Sequence, residues 1–106
     1  MDRSKFLNLI ERITGPRYIP NGLILSNNLI AEDISNLTLI CSYLLLDHNN
    51  FTGGLPNLSP MADVIDLSYN SFSGPIPHSW ENLNELAVIN MWSNRLSGEA
   101  LGHLSD

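Results

Sequence analysis

Cationic side chains are scarce: Lys and Arg total 5 against 11 Asp and Glu, giving a formal net charge of -6 over 106 residues. Binding to nucleic-acid phosphates needs clustered Lys or Arg, so no nucleic-acid partner is expected. Cys41 is the only cysteine, which excludes an intramolecular disulfide and leaves the redox compartment open. No apolar run reaches the length of about 18 residues that a spanning helix needs, so no membrane span is expected in this chain. The opening "MDRSKFLNLIERITG" is too charged for a secretory leader. His48, His78 and His103 lack metal-ligand spacing, and Gly53-Gly54 is not followed by the Gly-Lys-Ser/Thr of a phosphate loop. No metal, cofactor or enzymatic activity is therefore expected. Asp47, His48 and Asp66 could approach one another, but nothing arranges a nucleophile beside them.

Asparagine, by contrast, is plentiful, at 13 residues, and part of it is periodic. The stretch "LDHNNFTGGLP" (46–56) aligns without a gap on "LSYNSFSGPIP" (67–77), and weaker copies occur at "LSNNLIAEDIS" (25–35) and "MWSNRLSGEAL" (91–101). The anchors Asn28, Asn49, Asn70 and Asn94 mark a period of a little over twenty residues, which belongs to solenoids. Each anchor closes the same frame, apolar-x-apolar-x-x-Asn: Leu23 and Leu25, Leu44 and Leu46, Ile65 and Leu67, Ile89 and Met91. Such alternation predicts short strands with every second side chain turned inward. Cys41, Ala62 and Leu86, three residues before the frame in three copies, extend it. The frame is that of the leucine-rich repeat.

Each residue type has a mechanical task in that frame. Aliphatic pairs fill the space between stacked coils, whose parallel strands pair at about 4.8 Å. The asparagine stands where the backbone turns inward, and its amide, donor and acceptor at once, can satisfy buried backbone groups there. Gly53, Gly74 and Gly98 suit a bend with unusual dihedrals, and Pro56 and Pro77 fix the exit while blocking further helix. The fold class expected is an α/β solenoid, a leucine-rich repeat coil of about four repeats. Its short parallel strands form the concave face, with loops or 3-10 turns on the convex face. The stretch "HSWENLNELAV" (78–88) is longer than the return after Pro56, which predicts a short helical turn with Trp80, Leu83 and Leu86 packed inward. Residues 20–106 form the array, incomplete at its C-terminal end, where Leu96, Leu101 and Leu104 would be left facing water. Residues 1–19 are a separate segment with a possible amphipathic helix over 2–13.

The tails Asn49-Asn50-Phe51-Thr52-Gly53-Gly54-Leu55-Pro56 and Asn70-Ser71-Phe72-Ser73-Gly74-Pro75-Ile76-Pro77 resemble the plant extracellular subtype of the repeat. More closely, "AEDISNLTL" and "DLSYNSFSGPIPHSWENLNEL" look like the ectodomain of plant leucine-rich repeat receptor-like proteins, including the class that perceives fungal xylanase elicitors. The likeness covers about residues 22–106. It implies a sensor on the extracellular side of the plasma membrane, binding a peptide, protein or glycan and working with a membrane co-receptor in defence or development. Against that plan the leader, the span and the capping cysteine pairs are lacking, so the chain reads as a fragment or truncated product. A soluble secreted interaction or inhibitor module is the alternative, and a non-functional product a further one.

Three sequons, at Asn36, Asn50 and Asn57, are glycosylation candidates if the chain is secreted. The outward strand positions are Ile24, Ser26, Asn27; Leu45, Asp47, His48; Asp66, Ser68, Tyr69; and Asn90, Trp92, Ser93. Among these Asp47, His48, Asp66, Tyr69, Asn90 and Trp92 are the binding candidates, with Tyr69 and Trp92 offering large rigid rings. Cys41 reads as a small buried hydrophobe.

Overall fold

The computed structural model describes residues 22–97, together with Ser4, Lys5 and Asn8. The helix expected over 2–13 and the readings for Gly98, Leu101 and Leu104 lie outside the described residues, apart from Ser4, Lys5 and Asn8, which are helical. In chain order the elements are β1 (Gly22–Ile24), β2 (Thr38–Leu39), β3 (Tyr43–Leu45), β4 (Thr52–Gly53) and β5 (Asn57–Leu58). They continue with β6 (Val64–Asp66), β7 (Ser71–Gly74), the 3-10 helix η1 (His78–Asn82), β8 (Val88–Asn90) and β9 (Arg95–Leu96).

The chain winds as four stacked coils. Strands β1, β3, β6 and β8 form one parallel sheet in that order. Its register follows the repeat: Leu23 pairs with Leu44, Leu44 with Ile65, and Ile65 with Ile89. Equivalent residues therefore stack in rows across the concave face. The alternation places Leu23, Leu44, Leu46, Ile65 and Leu67 inside, each under 5% exposed. Burying a side chain of this size contributes roughly 1.5–3 kcal/mol. Cys41, Ala62, Phe51 and Phe72 complete the centre, with the two phenyl rings stacked 5.9 Å apart.

After each ladder asparagine the chain runs extended again. This gives a second parallel sheet, β4-β7-β9, that the sequence pattern did not announce. Its register differs from that of the concave sheet: Thr52 pairs with Ser71 rather than with its repeat equivalent, Ser73. A slip of two residues leaves every side chain on its original face, so Phe51 and Phe72 stay in the core.

The convex returns divide by length. The first two are stretched and pair as β2 and β5, whereas the longer third return coils into η1. Trp80 on η1 is fully buried, and its indole N-H donates to the Pro56 carbonyl at 3.1 Å. Leu83 is buried with it and Leu86 half-buried. One correction concerns Pro77: at φ -60° it stands at the N-cap of η1 and leads into the helical turn instead of blocking one.

Candidate functional site

The concave sheet is held at its C-terminal edge by the asparagines. Asn49 Nδ2 donates to the Leu25 carbonyl of the preceding coil at 2.8 Å and to Leu46 and Asp47 of its own, while Oδ1 accepts from the Asn28 and Ile30 amides. Asn70 bonds Leu46, Leu67 and Ser68 and accepts from Phe51. Asn94 bonds Leu67, Met91 and Trp92 and accepts from Phe72. Asn28 is exposed, and the bonds described for its amide go to Leu25 and Ser26 of its own coil.

The turn into each rung has a backbone cost. Asn27, His48, Tyr69 and Ser93, each immediately before a ladder asparagine, adopt φ of 55–60°. Non-glycine residues pay roughly 1–2 kcal/mol there. Sequence reading gave unusual dihedrals to glycines, and Gly53 and Gly74 do have positive φ. It missed this second row because the four residues share no type: Asn27 and His48 are of types enriched in that region, Tyr69 and Ser93 are not.

That corner aims His48 and Tyr69 across the concave face, where their rings stack with centroids 4.5 Å apart and planes 17° from parallel. Asp47 links the first two coils: its Oδ1 accepts from the Ser26 hydroxyl at 2.6 Å and its Oδ2 from His48 Nδ1 at 3.0 Å. Burial pushes the Asp47 pKa up, but bonds from Ser26, His48 and its own amide, with the nearby His48 charge, outweigh this and leave it below the usual carboxylate value. Because the serine proton goes to the carboxylate and not to the imidazole, this arrangement orients a ring and does not activate a nucleophile.

Asp66 Oδ1 accepts from both the Ser68 amide (3.0 Å) and hydroxyl (2.6 Å). Ser68 shares that face with Asp66 but is 2% exposed, so it offers almost no surface to a ligand. Asn90 repeats the turn, accepting from the Trp92 amide at 3.2 Å. Tyr69 and Trp92 are 53% and 76% exposed. Tyr69 packs on His48 of the preceding coil.

A row absent from the sequence candidates adds to this face. Tyr43, Val64 and Val88 lie in register beside it, one residue before the first inner apolar position of their coils. Repeating the period-2 alternation one step further back would have found them. Among the described residues, five of the six exposed large hydrophobic ones, Ile24, Tyr43, Tyr69, Val88 and Trp92, lie on this face. The sixth, Leu29, sits in a separate groove at the rim of the first coil with Leu25, Ile30 and Glu32.

The sequons lie elsewhere on the coil. Asn36 is exposed in the turn before β2. Asn50 is exposed, with Oδ1 accepting from Ser71. Asn57 is half-buried on β5 and accepts from Ser79, and the hydroxyl of Ser59, third residue of that sequon, is buried without a partner. Among the described residues no cluster of His, Cys, Asp or Glu could hold a metal, and no helix is long and apolar enough to cross a membrane. Cys41 is buried beneath β3, and burial, partly offset by a bond involving the Leu23 backbone, pushes its thiol to about 11.

Residues 63–83 match the Leucine Rich Repeat family. No curated protein and no solved structure matches the chain. The matched segment is one full coil, from β6 to the end of η1, and the other coils stack on it in register: the fold is a leucine-rich repeat coil of four turns. Such coils generally mediate protein-protein interaction and typically serve as binding scaffolds.

Proposed function

We propose that this chain is the ligand-binding piece of a plant cell-surface receptor-like protein, engaging an extracellular peptide or protein through its concave sheet. The observation that carries the binding reading is the gathering of exposed large hydrophobic side chains on that sheet, since aromatic anchors dominate binding energy at protein interfaces. The extracellular and receptor parts rest on the Asn-x-Phe-Ser/Thr-Gly-x-Ile/Leu-Pro tails at 49–56 and 70–77. In this reading Asp47, His48, Asp66, Tyr69, Asn90 and Trp92 line the ligand site. Asn28, Asn49, Asn70 and Asn94 hold its edge, residues 20–106 form the array, and a membrane co-receptor completes signalling. Glycans sit on Asn36 and Asn50, which stand in solvent, in preference to half-buried Asn57.

Two measurements test this. Short random peptides displayed on phage are selected on the folded chain, and the selected clones are re-tested on Tyr69→Ala/Trp92→Ala and on the convex variant Ser79→Ala. Loss of binding on the first alone supports the concave site; equal binding to both variants overturns it. Expression with a secretion leader in plant cells should give a glycosidase-sensitive mass shift, and no shift would remove the extracellular part of the reading.

A further inference from the structure

We infer that the concave face takes a cationic peptide, an extended segment whose Arg or Lys lies over Asp66 beside the Tyr69 ring with an apolar neighbour against Val88 and Trp92. The inference rests on the concave-site reading above and adds the chemistry of the partner.

Charge supplies the first support. Residues 22–97 hold seven Asp and Glu against Arg95 alone, and no outward position of β1, β3, β6 or β8 or of the corners after them is Lys or Arg. Asp47 and Asp66 therefore face the ligand side with no Lys or Arg among the described residues of that face, His48 beside Asp47 being its one ionisable base. A cleft lined by one sign of charge speeds encounter with the opposite sign and rejects like charge.

The second support is the state of the polar groups. Asp47 accepts from Ser26 and His48, Asp66 Oδ1 from Ser68, and Asn90 Oδ1 from the Trp92 amide. These bonds engage four side-chain oxygens of the face within the protein, while the negative charge and the exposed rings remain. An Arg or Lys side chain uses both remaining features: its head gains from the carboxylates and the ring face, and its stem covers apolar area. The register places Val64 beside Val88 and Asp66 beside Asn90, so an apolar row runs parallel to the row that holds Asp66 across neighbouring strands. A peptide laid across the coils meets both.

The test uses the displayed random peptides and the whole chain. Clones selected on the wild type are sequenced, made as free peptides and titrated on wild type, Asp66→Asn and Trp92→Ala, with cello-oligosaccharide and oligogalacturonate titrated alongside. Asp66→Asn keeps an oxygen to accept from Ser68 and so removes charge without opening the turn. The expected result is enrichment of Arg and Lys, with affinity about fivefold weaker on Asp66→Asn at low salt and little changed at high salt. On Trp92→Ala a loss on the order of tenfold is expected. Peptides that need Trp92 but show no basic enrichment or no response to Asp66→Asn overturn this inference and leave the concave site standing. Oligosaccharide binding lost on Trp92→Ala, with no peptide selected, also overturns it. Absence of any Trp92-dependent binding overturns both readings.

Discussion

The second and third coils differ from the fourth although all three obey one sequence frame. In the inner coils Leu44, Leu46 and Phe51, and Ile65, Leu67 and Phe72, are at most 1% exposed. In the fourth, Ile89, Met91 and Leu96 are only half-buried. A solenoid residue gains its burial from the coils on either side of it, so identical grammar yields a core in the middle and a partial one at the rim. The same comparison applies to the asparagine side chains, where that of inner Asn70 joins two coils and the bonds described for that of Asn28 stay within one.

Core truncation gives the largest contrast. Phe72→Ala should destabilise by about 3–5 kcal/mol, enough to unfold much of the population, and Leu96→Ala by well under half of that. Urea denaturation followed by circular dichroism measures both, and equal losses would mean the rim is as tightly packed as the centre.

A smaller effect separates the rungs. Asn70→Ala takes the acceptor from the Phe51 amide and one of two side-chain donors from each of the Leu46 and Leu67 carbonyls, which keep Asn49 and Asn94, for about 1–3 kcal/mol. Asn28→Ala should cost under about 1 kcal/mol, since water can replace an exposed amide. Hydrogen exchange at Phe51 reads the inner rung directly.

The two bend glycines differ by their surroundings. An added Cβ at Gly53 would fall on the Asp33 carboxylate, whereas at Gly74 it meets open space; both have positive φ. Gly74→Ala should cost about 1 kcal/mol from the dihedral alone, and Gly53→Ala more. Matching melting temperatures for the two variants would show that Asp33 moves aside freely.

Titration gives the finest contrast. Asp47 has a lowered pKa in the folded chain, so its contribution is present above the unfolded carboxylate value and is lost as pH falls through the folded value. Ser26→Ala should raise the Asp47 pKa and move that loss to higher pH, which carbon-detected NMR can follow. For Cys41, raised to about 11, the sign reverses: stability is unaffected below the unfolded thiol value and declines as pH rises toward 11. At neutral pH the thiol should resist an aromatic disulfide reagent until urea unfolds the chain.

Legibility in the sequence followed the strength of local pattern. Leu44 and Ile65 were readable as stacked partners because alternation and period agreed. The turn at Trp80 was readable because three extra residues had to go somewhere. The β4-β7-β9 sheet was not, because its residues (Thr52, Gly53, Ser71, Ser73) form no apolar run and their pairing depends on where the neighbouring coil lies. Burial of Ser68 was hidden for a related reason: the sequence gives a small polar residue at an outward position, and how far its neighbours cover it depends on the stacked coils.

The sequence by itself determined the period, the strands and the side chains that face inward, because these follow from spacing along one chain. Only the tertiary structure decided the two-residue slip of the side sheet, the stacking of His48 on Tyr69 and the collection of exposed rings on one face. Those depend on how far one coil is displaced from the next, a distance set by packing between segments that local sequence does not encode.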